Sequence, residues 1–336
     1  MLFRSMLVDW VSRTRGEELD KAANFSRAAG GAPANTAVGA ARLGMKSAFV
    51  GAFSDDKFGH WLRQELANNK VDISGTLLDS TAQTRMAYVV TLANGDRKFE
   101  DFTRFACADE RLRPDDLQES MFNRASFFHF GSISQINSPS KDATAEAICL
   151  AAKHDVLISY DPNVRIQFWQ NAASCKAKIL ETLPSADIVK INEDELFFLT
   201  GTRDLTAARE LREKHNVSLL IVTLDSRGSQ FFHGKSERLV PGFDIELIES
   251  TGAGDGFNAG LLEGLLKHVK EAGEKRQGWR RKALESLSEE QIASTVYRAN
   301  AVGALTCTKL GAIPALPTTF AVDRFLEQIA SGVGAL

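Results

Sequence analysis

The stretch ESTGAGDGFNAG, residues 249–260, places four glycines and one aspartate where a loop is predicted to turn into a helix. Glycines adopt positive φ angles and leave backbone N–H groups uncovered, and a helix N-terminus adds partial positive charge. The stretch therefore predicts a pocket for an anion. Asp255, in the first helical turn, is placed to accept a proton from a hydroxyl while neighbouring amides stabilise a transferring phosphoryl group. On this stretch alone, a tight turn with a helix cap remains the alternative.

The composition is that of an ordinary globular protein. The 336 residues include 44% hydrophobic and 25% charged side chains, which excludes the disordered, collagen-like and membrane classes. A formal net charge of −3 gives no electrostatic reason to expect a nucleic-acid or membrane partner. The four cysteines are dispersed, and no apolar run reaches the roughly 18 residues needed to cross a bilayer. We therefore expect a cytoplasmic protein with reduced thiols.

Apolar strands alternate with helices along most of the chain. Predicted strands cover residues 46–54, 126–134, 155–163, 186–192 and 218–225, and predicted helices cover residues 34–43, 56–69, 139–153, 171–182, 193–199, 204–215 and 254–270. Strands that are apolar throughout are typical of a parallel sheet with helices on both faces. The sequence therefore predicts one α/β domain over residues 1–330.

Between residues 73 and 105 the pattern changes to short alternating segments. TRMAYVVTLA and DRKFEDFTRF flank the dipeptide Asn94-Gly95, and an NG pair between two such runs is the strongest short hairpin signal. We therefore predict a β-hairpin over residues 73–105, accompanied by parts of residues 9–30, that is inserted in the α/β domain as a lid.

Three further polar segments are candidate ligand sites. In AGGAPANTAVGA, residues 29–40, glycines expose backbone beside the donor and acceptor of the Asn35 amide, which suits a small polar ligand. DPNVR (161–165) and NEDE (192–195) follow predicted strands, where ligands bind in open α/β sheets. Acidic groups in such positions often reach Mg²⁺ through water. A glycine turn and helix N-caps are the structural alternatives.

The order and spacing of these segments resemble the ribokinase-like, or phosphofructokinase-B, family of carbohydrate kinases over nearly the whole chain. AGGAPANTAVGAARLG with FVGAFSDDKFG is similar to the family's N-terminal signature, and STGAGDGFNAG is similar to its C-terminal signature. GGAPAN, FHFGSIS and KLGAIPALPT resemble the fructokinases within the family. The resemblance implies a three-layer α/β sandwich with a mostly parallel central sheet and a small β lid.

The resemblance also implies roles for individual residues. Asp255 matches the base, and the amides of Gly252, Ala253 and Gly254 match the anion hole. The implied sugar site consists of Asp9, Gly31, Asn35, Arg104 and Arg165. The implied nucleotide site consists of Asn192, Glu195, Thr223, Gly228, Gly254 and Asn300, with Mg²⁺ bound through water near Glu195. Gly256 and Gly260 are expected to allow close packing of the helix that follows the anion pocket.

The implied reaction is ATP-dependent phosphorylation of D-fructose at its 6-hydroxyl, in a homodimer that pairs through its lids. A kinase of another sugar, such as 2-keto-3-deoxygluconate or ribose, is one alternative, and a non-catalytic fructokinase-like partner protein is the other. Three features depart from the family pattern: the start MLFRS, Asp225 in the adenosine-contacting turn, and Glu249. Glu249 replaces an aspartate linked in relatives to a monovalent-cation site, so a requirement for potassium is left open.

Overall fold

A nine-stranded, mostly parallel sheet forms the centre of the computed structural model, which describes residues 1–3, 6–93, 97–271 and 278–332. The strands in these ranges are β1 (Leu2–Phe3), β2 (Leu7–Arg15), β3 (Phe25–Gly30), β4 (Ala48–Ser54), β5 (Asp72–Asp79), β6 (Met86–Thr91), β7 (Arg97–Phe102), β8 (Phe127–Phe130), β9 (Leu157–Tyr160), β10 (Ile188–Asn192), β11 (Leu219–Thr223), β12 (Ser229–His233) and β13 (Ser236–Val240). The α-helices in these ranges are α1 (Ala32–Arg42), α2 (Lys57–Asn68), α3 (Glu119–Arg124), α4 (Ser140–Lys153), α5 (Ala172–Thr182), α6 (Glu193–Thr200), α7 (Thr206–Lys214), α8 (Ala253–Glu271), α9 (Trp279–Glu285), α10 (Glu289–Thr306) and α11 (Thr319–Ala330).

Strand order separates the molecule into a large and a small sheet. The large sheet runs β13-β12-β11-β10-β9-β8-β1-β4-β5, with parallel pairing from β5 to β11 and an antiparallel edge at β12 and β13. The small sheet runs β3-β2-β6-β7, and its central strands β2 and β6 are parallel. This architecture confirms the predicted fold class.

Helices cover both faces of the large sheet because its central strands are apolar on both sides. Successive residues of a strand point to opposite faces. Phe128 and Val189 accordingly join a core cluster that includes residues of α4, α5, α6 and α7. Their chain neighbours Phe127 and Ile188 join a second cluster with residues of α8 and α10. The result is three layers, with the start of α8 at one end of the parallel strands.

Glycines allow α8 to pack closely against α10. A β-carbon added to Gly260 would lie 2.9 Å from Cγ2 of Val302 and 3.0 Å from Cα of Ala299. A β-carbon added to Gly256 would lie 2.6 Å from Oγ1 of Thr306. These contacts are shorter than side-chain atoms tolerate, so the predicted packing role of both glycines is confirmed. The packing holds the first turn of α8 in place.

The prediction that the lid begins at residue 73 is wrong. Residues 72–79 form β5, which pairs in parallel with β4 at the edge of the large sheet. Gly75 lies so close to Val50 and Met121 that an added β-carbon would be 2.9 and 2.8 Å from their side chains. This packing places the segment in the α/β layer. The small sheet combines β6 and β7 with β2 and β3, and Asn94-Gly95 lies outside the described residues.

Replacing Gly260 by alanine tests the helix contact that positions α8. We expect Gly260→Ala to lower the free energy of unfolding by about 1–3 kcal/mol, because the added carbon overpacks the contact with Val302 and Ala299. Urea unfolding followed by circular dichroism measures the change. In a Val302→Ala background the loss should be smaller. A Gly260→Ala protein as stable as the wild type would contradict the contact.

Candidate active site

Gly252 shapes the loop that leads into α8. Its φ is 84°, and a β-carbon there would lie 2.9 Å from Cβ of Ala312, so this position requires glycine. Both Gly252 and Gly254 line a cavity in front of the helix. The N–H of Ala253 donates to the carbonyl of Ser250 at 3.1 Å. The Ala253 N–H, which was expected in the anion pocket, is thus already engaged, whereas Gly252 and Gly254 border the cavity at the start of the 19-residue helix α8.

Asp255 lies in the first turn of α8 and faces the second glycine loop. Nδ2 of Asn35 donates a hydrogen bond to Oδ2 of Asp255 at 2.8 Å, although the two residues are 220 positions apart in the chain. Asn35 is buried in α1, which starts directly after Gly31, whose φ is 115°. The structure therefore brings together the two glycine-rich segments 29–40 and 249–260.

The pKa of the Asp255 carboxyl is raised from 3.8 to about 7. Desolvation is the largest cause, because the carboxyl group is surrounded by protein even though the residue opens onto the cavity. The hydrogen bond from Asn35 lowers the pKa, and the charge of Asp161 raises it. A carboxylate with this pKa is ionised in part near neutral pH and is a stronger base than an ordinary aspartate.

Two residues that the sequence analysis did not single out, Lys190 and Asn258, contact Asp161 beside this site. Lys190, on β10, lies 3.2 Å from Oδ2 of Asp161 through its Nζ. Nδ2 of Asn258, on α8, donates to the same carboxylate oxygen at 2.7 Å. All three side chains are buried. A lysine inside the apolar strand IVKIN, two residues before Asn192, is the signal that would have identified Lys190.

The cavity has a volume of about 990 Å³ and lies between the large sheet and the small sheet. Most of the predicted sugar and phosphate residues line it, namely Asp9, Gly31, Asn35, Arg165, Gly252, Gly254 and Asp255. Phe99 and Phe102 of β7 line it from the small sheet. The ring of Phe102 contacts that of Phe168, with 4.5 Å between centroids, so the small sheet closes on the segment after Arg165.

The side chain of Asp9, in the small sheet, lies against Gly30, a residue of the 29–40 segment to which the sequence analysis gave no separate role. A β-carbon on Gly30 would lie 2.2 Å from Oδ2 of Asp9, so only glycine leaves room for this carboxylate. Asp9 and Gly30 lie on the paired strands β2 and β3. Gly31 allows the turn that leads into α1, and the missing side chain of Gly30 leaves space for the Asp9 carboxylate.

The structure does not bring all predicted nucleotide residues to the cavity. Asn192 lines it, while Thr223, Gly228 and Asn300 lie in and beside the β11–β13 edge of the sheet. The Asn300 amide donates to the carbonyls of Val240 and Pro241 at 3.2 and 3.1 Å. In this structure these contacts hold the sheet edge to α10.

Both carboxylate oxygens of Glu195, which was expected near Mg²⁺, accept hydrogen bonds from backbone N–H groups. Its Oε1 accepts from the N–H of Val164 at 2.7 Å, and its Oε2 accepts from the N–H of Asn192 at 2.9 Å. Burial and the charge of Asp161 raise the pKa of this carboxyl. Glu195 therefore ties the DPNVR segment to the start of α6.

Arg104 and Glu249 occupy contrasting positions. The Arg104 side chain is 67% exposed and lies 3.5 Å from Asp101, away from the cavity lining. Glu249 is buried, lines the cavity, and accepts a hydrogen bond from the N–H of Gly311 at 2.8 Å through Oε2. Glu249 thus fixes the loop in front of Gly252, whereas Arg104 would need the small sheet to move before it reached a ligand.

Two absences apply to the described part of the chain. No group of three or more His, Cys, Asp and Glu side chains there is arranged to hold a metal ion. No helix there is long and apolar enough to cross a membrane.

A partly ionised carboxyl at a helix N-terminus, in a cavity that the small sheet borders, suits the transfer of a phosphoryl group to a hydroxyl group. Residues 1–319 match the pfkB family of carbohydrate kinases, and the chain belongs to that family. The resemblance inferred from the two signatures is therefore confirmed.

Named relatives and solved structures agree with this family. "Probable fructokinase-2" of Arabidopsis thaliana is 38% identical over 330 residues, which cover 97% of this chain and 94% of the relative. Fructokinase-1 of Zea mays is 38% identical, with 97% of each chain covered. The fructokinase of Xylella fastidiosa with bound ATP has a TM-score of 0.86 at 31% identity and 98% coverage of both chains. A double mutant of the Vibrio cholerae O395 fructokinase with fructose, ADP and potassium ion has a TM-score of 0.80 at 30% identity and 97% coverage of both chains.

The raised pKa of Asp255 predicts the pH dependence of phosphoryl transfer. The base must be ionised to accept a proton, so kcat/KM for the sugar should fall tenfold per pH unit below about pH 7. A coupled assay across the pH range measures this limb, with circular dichroism to verify that the protein stays folded. A limb near pH 4, the ordinary value for aspartate, would contradict the role given to burial.

Proposed function

We propose that the protein transfers the γ-phosphoryl group of ATP to the 6-hydroxyl of D-fructose. The observation that carries the proposal is the Asp255 carboxyl, with its pKa of about 7, beside the open glycine amides of the α8 N-terminus. Support for fructose comes from the relatives named fructokinase and from the solved relative with fructose and ADP.

The proposed transfer is a single displacement. The oxygen of the sugar 6-hydroxyl forms a bond to the γ-phosphorus as the bond from that phosphorus to the β,γ-bridging oxygen breaks. The hydroxyl proton passes to Asp255, and ADP leaves with the bonding electron pair. The N–H groups around Gly252 and Gly254 stabilise the negative charge on the transferring group.

The sugar would bind against Asp9, Gly31, Asn35 and Arg165. All four line the cavity, and they combine a carboxylate, bare backbone, an amide and a guanidinium, which suits a ligand with many hydroxyl groups. Arg104 would join them when the small sheet closes further. The small sheet therefore acts as the lid, and closure would exclude water, which competes with the sugar for the phosphoryl group.

The nucleotide would extend from Gly254 past Asn192. Gly252 and Gly254 both line the cavity, and glycine leaves the backbone N–H groups uncovered for a phosphate group. The adenosine end is assigned to Thr223, Gly228 and Asn300 at the neighbouring sheet edge. Magnesium would bind the phosphate groups of the nucleotide and neutralise their charge. It would lie near Glu195, which it would contact through water. A monovalent cation such as potassium would lie in the loop that Glu249 fixes.

The oligomeric state and location are also proposals. Strands β3 and β7 are the edges of the small sheet, and edge strands present backbone groups that can pair with a second chain. This supports a homodimer that forms through the lid, and sedimentation equilibrium would measure the mass of the assembly.

All four cysteines are free, which supports a location in the reducing cytoplasm.

Turnover across a panel of sugars tests the proposed substrate. With ATP and Mg²⁺, we expect the highest kcat/KM for fructose among fructose, ribose and 2-keto-3-deoxygluconate, with fructose 6-phosphate as the product. Asp255→Asn keeps the shape of the side chain but removes the base, so its turnover should fall by at least about 10²-fold. Preference for another sugar would refute the substrate. Absence of transfer to any sugar would favour a non-catalytic partner protein.

The contact between Phe102 and Phe168 tests the lid. Phe102→Ala should raise KM for the sugar several-fold and increase ATP hydrolysis relative to transfer, because an incompletely closed lid admits water. Separate assays of ADP and sugar phosphate measure the two reactions. Phe105→Ala is the matched control, since that side chain is 79% exposed and lies outside the cavity lining. Equal kinetics in both variants would contradict closure through this contact.

A further inference from the structure

Lys190 places a buried positive charge directly beside the anion pocket. A β-carbon added to Gly254 would lie 3.0 Å from Nζ of Lys190, so the ammonium group lies against the backbone of the first helical turn. Lys190 is 7% exposed, and what remains exposed faces the cavity. It is a charged residue in a strand whose other residues, apart from the terminal Asn192, are apolar.

The carboxylate of Asp161 accepts a hydrogen bond from this ammonium group and holds it in position. Its Oδ2 accepts hydrogen bonds from Nζ of Lys190 at 3.2 Å and from Nδ2 of Asn258 at 2.7 Å. Its Oδ1 accepts from the N–H of Asn163 at 3.0 Å. Three donors from three segments therefore hold the carboxylate in one orientation. An ammonium has three donors, and one of them is directed to Asp161.

Stability alone is a poor explanation for this buried ion pair. Removing two charges from water is costly, and replacing a buried pair with apolar residues is often neutral or stabilising. Burial lowers the pKa of the Lys190 ammonium, but neighbouring carboxylates, led by Asp161, outweigh burial and raise the pKa above its usual value. Lys190 therefore stays positively charged next to the glycine amides, where the proposed reaction brings a phosphoryl group.

We propose that Lys190 is a catalytic residue that donates a hydrogen bond to the transferring γ-phosphoryl group, and that Asp161 is its positioning residue. This inference rests on the proposed function. As the bond from the sugar oxygen to phosphorus forms and the bond to the bridging oxygen breaks, Lys190 stabilises the charge on the phosphoryl oxygens. It neither gains nor loses a proton, because Asp255 takes the hydroxyl proton.

Three variants separate catalysis from structure. Lys190→Met removes the charge at similar length but leaves the Asp161 carboxylate buried without its ammonium partner, which by itself destabilises the fold. The double variant Lys190→Met/Asp161→Asn removes both charges; its one amide oxygen can accept from Asn258, and the N–H of Asn163 then loses its acceptor. Lys153→Met is the matched control, because Lys153 is 62% exposed and pairs with Glu119 outside the cavity.

We expect kcat to fall by about 10²–10³-fold in Lys190→Met and in the double variant, as when one donor to a developing charge is removed. KM for fructose should change only a few-fold, and Lys153→Met should match the wild type. The double variant should unfold at a higher temperature than Lys190→Met, because no carboxylate is left buried without its ammonium partner. If the double variant regains most of the wild-type kcat, the pair is structural and the inference is wrong.

Binding of a phosphoryl-transfer mimic tests Lys190 without turnover. Isothermal titration calorimetry compares ADP alone with ADP plus aluminium fluoride, both with Mg²⁺ and fructose. Aluminium fluoride should tighten ADP binding to the wild type at least tenfold more than to the double variant, while affinity for ADP alone differs only a few-fold. Equal tightening in both proteins would overturn the inference. Failure of the wild type to phosphorylate fructose would refute the proposed substrate, and the comparison would then use the sugar that the wild type does phosphorylate.

Discussion

Asp255 lies at the N-terminus of α8 with protein around its carboxyl group, and desolvation there raises its pKa to about 7. The hydrogen bond from Asn35 and the charge of Lys190 act in the opposite direction. If burial acted alone, the carboxyl would hold its proton more tightly; if the positive charges dominated, it would be a weak base. The chemistry of the site depends on this balance.

The rest of the fold holds in position the groups that set the pKa of Asp255. Close glycine contacts with α10 fix the first turn of α8, and α1, which packs against α8 where Gly39 meets Ala259, brings Asn35 to Asp255. The small sheet covers the opening and contacts the body of the protein through Phe102 and Phe168. Arg85, at the start of β6, bonds to Asp109 at 2.9 Å and has its guanidinium 5.6 Å from the ring of Phe168. The lid is thus attached next to the segment that carries Arg165.

Residues whose roles depend on local chain geometry could be predicted from the sequence. Gly252 lies in a glycine-rich loop before a helix, and Asp255 and Asn35 lie in the first turns of the helices that follow such loops; these loops are recognisable from their residue types alone. The main alternation of strands and helices was predictable for the same reason, because apolar periodicity is a local property. The family signatures added the substrate class.

What could not be predicted depends on residues far apart in the chain. Lys190, Asn258 and Gly30 acquire their roles only when other strands bring Asp161 and Asp9 beside them. The start of the lid was misplaced because 72–79 resembles a hairpin strand, and its assignment to the large sheet depends on pairing with β4. The short edge strands β12 and β13 and the helices α10 and α11 were not predicted.

The central claim is that the Asp255 carboxyl titrates near neutral pH. Infrared difference spectroscopy of the wild type against Asp255→Asn, recorded across a pH series, isolates the carboxyl absorption of this one side chain without requiring substrate. The account predicts that the protonated band disappears with a midpoint at about pH 7. A midpoint near pH 4, the ordinary value for an aspartate, would contradict it.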